Sequence, residues 1–280
     1  MISFKEIGYL GRLGNQIFQF SSTLGIARLN NTSPIFPINN IHATKATGTL
    51  DESTGKRMET KLDLLSCFDI NLNFFSDIGH IKTSYVYEEK DFKYNSETEN
   101  LPDYVDLFGY FQTEKYFKKN EDEIRKNLVF KEDHTNFINN YISKINEING
   151  RRTKISVHIR RTDYLSSGGL HPLCSLNYYN QAVDIFGKEA IFLIFSDDLK
   201  WAKENFKGEN FLFVEIGDPF KELCLMSKCD HHIIANSSFS WWGAWLNQKK
   251  DKKVIAPSLW FGKSMNKDTS DIYCEEWIKI

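Results

Sequence analysis

This sequence lacks most of the features that declare a function at once. Its five cysteines (Cys67, Cys174, Cys224, Cys229, Cys274) are odd in number, scattered, and never spaced C-x-x-C. That argues against a zinc site and a disulfide framework, and it fits a reducing compartment. No D-x-D triplet occurs anywhere. The nearest acidic runs, Glu89-Lys90-Asp91, Glu97-Thr98-Glu99 and Glu121-Asp122-Glu123, sit in polar stretches with no strand end beside them, so a metal-held diphosphate is not expected. No run approaches the ~20 apolar residues a membrane span needs. Met1-Ile2-Ser3-Phe4-Lys5-Glu6 is not a basic segment leading into an apolar one. The expectation is a cytoplasmic chain without a transmembrane segment, with peripheral membrane attachment left open. Charge of one sign is missing too. Lys plus Arg number 35 and Asp plus Glu 37, a net −2. Nothing global attracts nucleic acid or anionic lipid, and any anionic ligand must be met by local cations.

The chain does have size and rings. Its 280 residues suffice for one large or two ordinary domains, and the 41% hydrophobic share can fill their cores. Twenty-two Phe, 12 Tyr and 6 Trp are a high aromatic content, assigned mostly to core.

Along the chain, Ile2 to Gly8 is a weak strand, Gly11-Arg12-Leu13-Gly14-Asn15-Gln16 a glycine turn, and Ile17 to Leu29 a helix with apolar residues at Ile17, Phe20, Leu24 and Ala27. Strand, turn, helix opens a Rossmann-like unit, whose helix N-terminus offers N–H groups to an anion. An ordinary βα turn has the same pattern. Residues 30–60 read mostly as loop, Leu62 to Phe68 as a short helix and Ser84 to Tyr87 as a short strand. Leu107 to Gln112 reads as a buried strand, and Glu114 to Leu128 as a helix. Asn136 to Ile148 is an amphipathic helix closed by Asn149-Gly150. The polar segment after it is the expected domain boundary. Beyond it strands (155–160, 190–195, 211–216, 232–235, 254–256) alternate with helices (176–186, 197–201, 219–226, 238–247), which implies a parallel sheet covered on both faces. The expected architecture is α/β, two Rossmann-like domains, 1–150 and 151–280, with a cleft between them. The last ~20 residues are candidates to pack back on the first domain.

The second domain opens on the most informative stretch. Ile155-Ser156-Val157-His158-Ile159-Arg160 alternates, placing Ser156, His158 and Arg160 on one face of a strand. Arg160-Arg161-Thr162-Asp163 then stands at its carboxyl end, where ligands of open α/β sheets gather. Paired arginines there suit a diphosphate, and a solvated charge cluster would look the same. Ser196-Asp197-Asp198 closes the next strand, able to cap a helix or to accept from a guanine edge or a ribose. Asn236-Ser237-Ser238 stands at a strand-to-helix turn fit for a phosphate or sugar hydroxyl, with Phe239, Trp242 and Trp245 behind it as a core stripe. His158 suits a ligand contact or an internal histidine equally. His231 and His232 are adjacent, face opposite ways in a strand, and do not make a metal pair.

Gly11-Arg12-Leu13-Gly14-Asn15-Gln16, His158-Ile159-Arg160-Arg161-Thr162-Asp163-Tyr164, Ser196-Asp197-Asp198 and Ser237-Ser238-Phe239-Ser240-Trp241-Trp242, in this order, resemble the bacterial α-1,2-fucosyltransferase family over nearly the whole chain. Gly109-Tyr110-Phe111-Gln112 resembles a further family segment. The resemblance implies a GT-B fold of two facing Rossmann-like domains, the first on the acceptor side and the second binding GDP-fucose. It implies inverting transfer to the 2-hydroxyl of a galactose-terminated oligosaccharide, with GDP-fucose as co-substrate and neither metal nor other cofactor. Carried over by position, Arg160 holds the β-phosphate beside Arg161, and Asp163 orders the arginines or acts near the acceptor. His158 and Asp197 or Asp198 contact guanosine, and Ser237, Ser238 and Phe239 lie near the pyrophosphate and fucose. Gly14, Asn15 and Gln16 close over the donor. The related α-1,6-fucosyltransferases have a glutamate a few residues after the arginine motif. Here Leu165-Ser166-Ser167-Gly168-Gly169 has no carboxylate, so Asp163 stands as first candidate for the base and His158 as second. The rival readings are an α-1,6- or O-fucosyltransferase, a nucleotide-dependent dehydrogenase (whose G-x-G-x-x-G is missing), and a non-catalytic sugar-binding protein.

Overall fold

The computed structural model describes residues 1–41, 43–50 and 57–280. Its internal contacts define two units, Met1–Lys131 with Asp268–Cys274, and Glu132–Lys267 with Glu275–Ile280. Of the expected returning tail, 268–274 group with the first unit and 275–280 with the second.

The N-terminal unit runs β1 (Ile2–Ser3), α1 (Leu13–Leu29), β2 (Pro34–Pro37), a hairpin of β3 (Thr44–Leu50) and β4 (Arg57–Lys61), α2 (Leu64–Cys67), β5 (Phe75–Ser76), β6 (Tyr85–Glu88), β7 (Val105–Phe108) and α3 (Glu121–Asn127). Five strands form one parallel sheet in the order β5-β2-β1-β7-β6. Residues 30–60, expected as loop, thus contribute β2 and the β3–β4 hairpin; His42 and 51–56 within them lie outside the described residues. Pro34 and Pro37 bracket only two apolar residues, too short a run to show a period. The helix expected over Glu114 to Leu128 is instead two 3₁₀ turns followed by α3, because Tyr116 and Phe117 turn inward and are buried.

Helix α1 begins at Leu13 rather than Ile17 and is buried on nearly every side, polar residues included. Buried polar groups need partners. Gln19 Nε2 donates to the carbonyls of Leu10 (2.8 Å) and Gly109 (3.2 Å), and the Ser22 hydroxyl to that of Phe111 (3.1 Å). Mid-helix Gly25 is there for contact rather than flexibility. A Cβ at this position would run into the Tyr116 carbonyl and lie 2.6 Å from Phe117 Cα. Alanine normally improves a helix interior by up to ~1 kcal/mol over glycine. Here we expect Gly25→Ala to destabilise the unit, by on the order of 3 kcal/mol, through overpacking against backbone. Thermal unfolding followed by circular dichroism checks this, and an unchanged or raised Tm would refute it.

The second unit contains α4 (Glu132–Asn149), β8 (Lys154–Ile159), α5 (Thr162–Leu165), α6 (Leu176–Phe186), β9 (Ile191–Ser196), α7 (Leu199–Asn205), β10 (Phe211–Phe213), α8 (Pro219–Lys228), β11 (His231–Ile233), α9 (Ser238–Leu246), β12 (Val254–Ala256) and β13 (Ile278–Lys279). The division between units falls before α4, not at Gly150, since α4 packs on α8 with His134 and Phe220 5.9 Å apart. Gly150 still ends α4 in a left-handed conformation (φ +69°). The strands are parallel in the order β10-β9-β8-β11-β12-β13. Numbered within the unit this is 3-2-1-4-5-6, the dinucleotide-binding order, which reverses between β8 and β11. Ile155, Val157 and Ile159 enter a core with Tyr178, Tyr179 and Ala182 of α6. Every residue of β8 is buried, Ser156 and His158 with the rest. The polar face of this strand is therefore interior, and its polar atoms must find partners inside. Among the described residues no helix is long and apolar enough to cross a membrane.

Candidate functional site

Strand β8 ends at Ile159, and the consecutive arginines after it diverge, as neighbours on an extended chain must. Arg160 reaches Asp163 Oδ2 with Nη2 (2.7 Å) and Asp197 Oδ2 with Nη1 (3.2 Å), its side chain only 18% exposed. Burial opposes its charge, but the two carboxylates outweigh burial and raise the guanidinium pKa. The fork keeps donors for a further oxygen-bearing group. Arg161 turns the other way, pairing through Nε with Asp198 (3.1 Å) and lying 4.1 Å over the Trp201 ring.

The two aspartates that end β9 are what holds this turn. Asp197 accepts from the backbone N–H groups of Arg161 (2.9 Å) and Thr162 (3.2 Å) and from the Thr162 hydroxyl (2.6 Å). Asp198 caps α7 by accepting from Trp201 N at 3.0 Å. Both carboxylates, expected beside guanosine, are engaged by the arginine turn itself.

Two histidines on the interior face of the sheet differ. His232 lies beside Ser156 in register. Its Nδ1 meets the Ser156 hydroxyl at 2.7 Å and its Nε2 the Asn247 amide nitrogen at 2.8 Å. It is a satisfied core residue. His158 Nδ1 is buried without a hydrogen-bond partner, and its ring stands 5.7 Å from Phe239. Burial, with Arg160 adding and Asp197 opposing, pushes the His158 pKa down to about 4, so the ring is neutral at pH 7. A buried nitrogen without a partner at the carboxyl end of a central strand is the kind of exception that marks a ligand site.

Across the sheet reversal, Ser237 precedes α9 and its side chain makes no capping bond. Phe239, expected in a core stripe, is only half-buried and faces His158, while Trp242 and Trp245 are core. Asn236 is buried, and its amide nitrogen donates to the carbonyls of Pro172 (3.0 Å) and Trp260 (2.9 Å). The Tyr164 hydroxyl donates to the Asn236 carbonyl at 2.8 Å, tying the arginine turn to the end of β11. Thus His158, Arg160, Arg161, Asp163, Asp197, Asp198 and Ser237 to Phe239 come together at the carboxyl ends of β8, β9 and β11. Tyr164, His171, Trp201 and Asn236 belong with them. Tyr164 and Asn236 carry a sequence signal only as parts of the quoted motifs, and His171 carries none.

Gly14, Asn15 and Gln16 form the first turn of α1 in the N-terminal unit. Asn15 Oδ1 accepts from Gln112 Nε2 at 2.8 Å. Gln16 is fully buried, donating to the Gly11 (3.2 Å) and Lys61 (2.7 Å) carbonyls and accepting from Asp63 N (2.8 Å). With its amide spent on three backbone groups, Gln16 clips the loop in place. The strand expected through Gln112 stops at Phe108. Gly109 (φ +149°) and Phe111 (φ +51°) then bend the chain around Glu89, which accepts from Tyr110 N (2.6 Å) and Phe111 N (2.8 Å).

The model of Glycosyl transferase family 11 matches residues 3–280. The chain belongs to glycosyl transferase family 11. Among relatives of this family-11 chain, the O-antigen biosynthesis glycosyltransferase WbnK of Escherichia coli is 33% identical over 214 residues, 71% of this chain and 69% of that one. An alpha-1,2-colitosyltransferase of Escherichia coli is 28% identical over 289 residues, 96% of each. The galactoside alpha-(1,2)-fucosyltransferase 1 of Bos taurus is 26% identical over 251 residues, 84% of this chain and 64% of that one. Among the described residues of the family-11 chain, no group of three or more His, Cys, Asp or Glu side chains is placed to hold a metal ion.

Proposed function

We propose that this chain is an inverting transferase moving L-fucose from GDP-fucose to the 2-hydroxyl of a galactoside, with the donor held by the C-terminal unit and the acceptor taken by the N-terminal one. The observation that carries the reading is Arg160, largely shielded from solvent, gripped by Asp163 and Asp197, and standing at the sheet reversal where nucleotides bind. Breaking the fucosyl–phosphate bond puts a second full charge on the leaving GDP. A preorganised fork stabilises that charge where it develops, without a metal or other cofactor. Asp163, Asp197 and Asp198 set the arginines. His158 offers its free nitrogen to the nucleoside, and Ser237, Ser238 and Phe239 line the pyrophosphate and sugar side. Gly14 and Asn15 are the donor contacts assigned to the first unit.

A second donor is favoured by one observation: the relative that matches 96% of both chains is named for colitose. The experiment is therefore a screen of galactosyl acceptors with GDP-fucose and GDP-colitose, following GDP release and determining the product linkage. We expect an α-1,2-linked product and acceptor-dependent GDP release with one of the two donors. An α-1,6 or protein-O linkage would replace this reading with that of a different transferase, and binding of glycan without GDP release would make the chain a sugar-binding protein.

A further inference from the structure

The loop leaving α5 carries a histidine that none of the motifs contains. The ring of His171 lies nearly parallel to that of Tyr164, centroids 4.7 Å apart and planes at 17°, and Phe261 flanks it at 5.3 Å. The Arg160 guanidinium is 5.8 Å from the same Tyr164 ring. His171 therefore stands one aromatic ring away from the group assigned to the leaving phosphate.

The loop around it is fixed on both sides. The Leu170 carbonyl accepts from Gly262 N at 2.9 Å, and the Pro172 carbonyl from the Asn236 amide at 3.0 Å. A Cβ on Gly262 would strike the Gly169 carbonyl, so the two backbones touch directly. The Ser167 hydroxyl, 3.3 Å from both His171 N and His171 O, closes the turn. Chain that follows two glycines in left-handed conformations (Gly168 and Gly169) is thus held in one place at a single histidine. Its Nδ1 is buried without a partner, which leaves Nε2 of a half-buried ring as the nitrogen an incoming hydroxyl can reach.

We propose that His171 is the general base, accepting the acceptor's hydroxyl proton at Nε2. This inference rests on the transferase reading above. As the acceptor oxygen bonds to the anomeric carbon, its proton passes to Nε2. The bond from that carbon to the β-phosphate oxygen breaks, and its electron pair leaves with GDP. The imidazolium then gives the proton to water. The other candidates are placed less well. Asp163 is bound to Arg160 at 2.7 Å, and a proton there would loosen the grip on the guanidinium. His158 is only 7% exposed. The charged and titratable groups acting on His171 are Asp163, Arg160 and Tyr164. Burial lowers its pKa most, Asp163 opposes and Arg160 adds, so the ring is neutral at pH 7 and ready to take a proton.

The test uses His171→Phe and His171→Gln in the full chain, with GDP affinity measured by calorimetry and turnover by GDP release in the presence of acceptor. We expect GDP affinity within about twofold of wild type and a kcat lower by about a hundredfold or more. In the wild type kcat should rise with pH along a limb centred below 6.5, the ordinary value for the ring. Both variants should lose that limb, and Asp163→Asn should keep it. The proposal is overturned by a kcat within about threefold of wild type, by a limb that persists in the variants, or by loss of GDP binding in both, which would make His171 part of the donor pocket. If the wild-type chain released no GDP from either donor with any of the acceptors, the transferase reading itself would fall instead.

Discussion

Arg160→Lys lowers kcat at saturating donor by about a hundredfold to a thousandfold, roughly 3–4 kcal/mol of transition-state stabilisation. The size follows from geometry rather than charge, which lysine keeps. Arg160 already spends one nitrogen on Asp163 at 2.7 Å and another on Asp197 at 3.2 Å, and a planar fork still has donors for phosphate. An ammonium is a point charge on a flexible stem. Drawn between two carboxylates, it has little left to aim at a developing oxyanion. GDP release measured in the presence of acceptor reads the effect, and near wild-type turnover would remove Arg160 from the mechanism. Donor affinity should fall less than kcat, because the charge it answers is completed only as the bond breaks.

The architecture around this arginine was legible where periodicity and position agree. Alternation in β8 and the apolar run of β9 place those strands within a residue, and the parallel order follows from βα alternation. But β10 ends at Phe213 rather than 216, α7 runs on to Asn205 rather than 201, and α5 and β13 had no signal. Where two or three residues suffice for a strand, as in β1 and β5, no period exists to be read. The N-terminal unit was accordingly opaque. The motifs fixed which residues converge but not their tasks. Asp197 looked like a nucleoside ligand because a carboxylate at a strand end offers acceptors. The structure shows those acceptors filled by Arg160, the Arg161 and Thr162 backbone and the Thr162 hydroxyl. The sequence neighbours of Gln16 likewise do not reveal that Lys61 and Asp63 reach its amide. His171 was invisible because what gives it meaning, the neighbouring rings of Tyr164 and Phe261, is assembled by a loop without a pattern.

The interior histidines predict an acid sensitivity of the C-terminal unit. The Asn247 amide oxygen accepts from Lys249 N, so its nitrogen is the donor to His232 Nε2, and His232 must carry its proton on Nδ1 toward Ser156. A second proton on Nε2 would face that N–H. Burial, reinforced by Lys252, His231 and Lys249, holds the His232 pKa well below 6.5. His158 is held at about 4. Below pH 6.5 the unfolded chain takes up protons that both folded rings refuse, so stability falls as pH falls, by ~1.4 kcal/mol per pH unit for each ring. Both rings add to this loss below pH 6.5, and His158 stops contributing near pH 4. All six tryptophans lie in this unit, at 201, 241, 242, 245, 260 and 277, so their emission during urea unfolding reports it selectively. We expect His232→Gln to be less stable at pH 7, having lost its two buried partners, yet to lose less stability than wild type between pH 7 and 5. Equal losses in the two proteins would show that the ring is already protonated, or already solvated, in the fold.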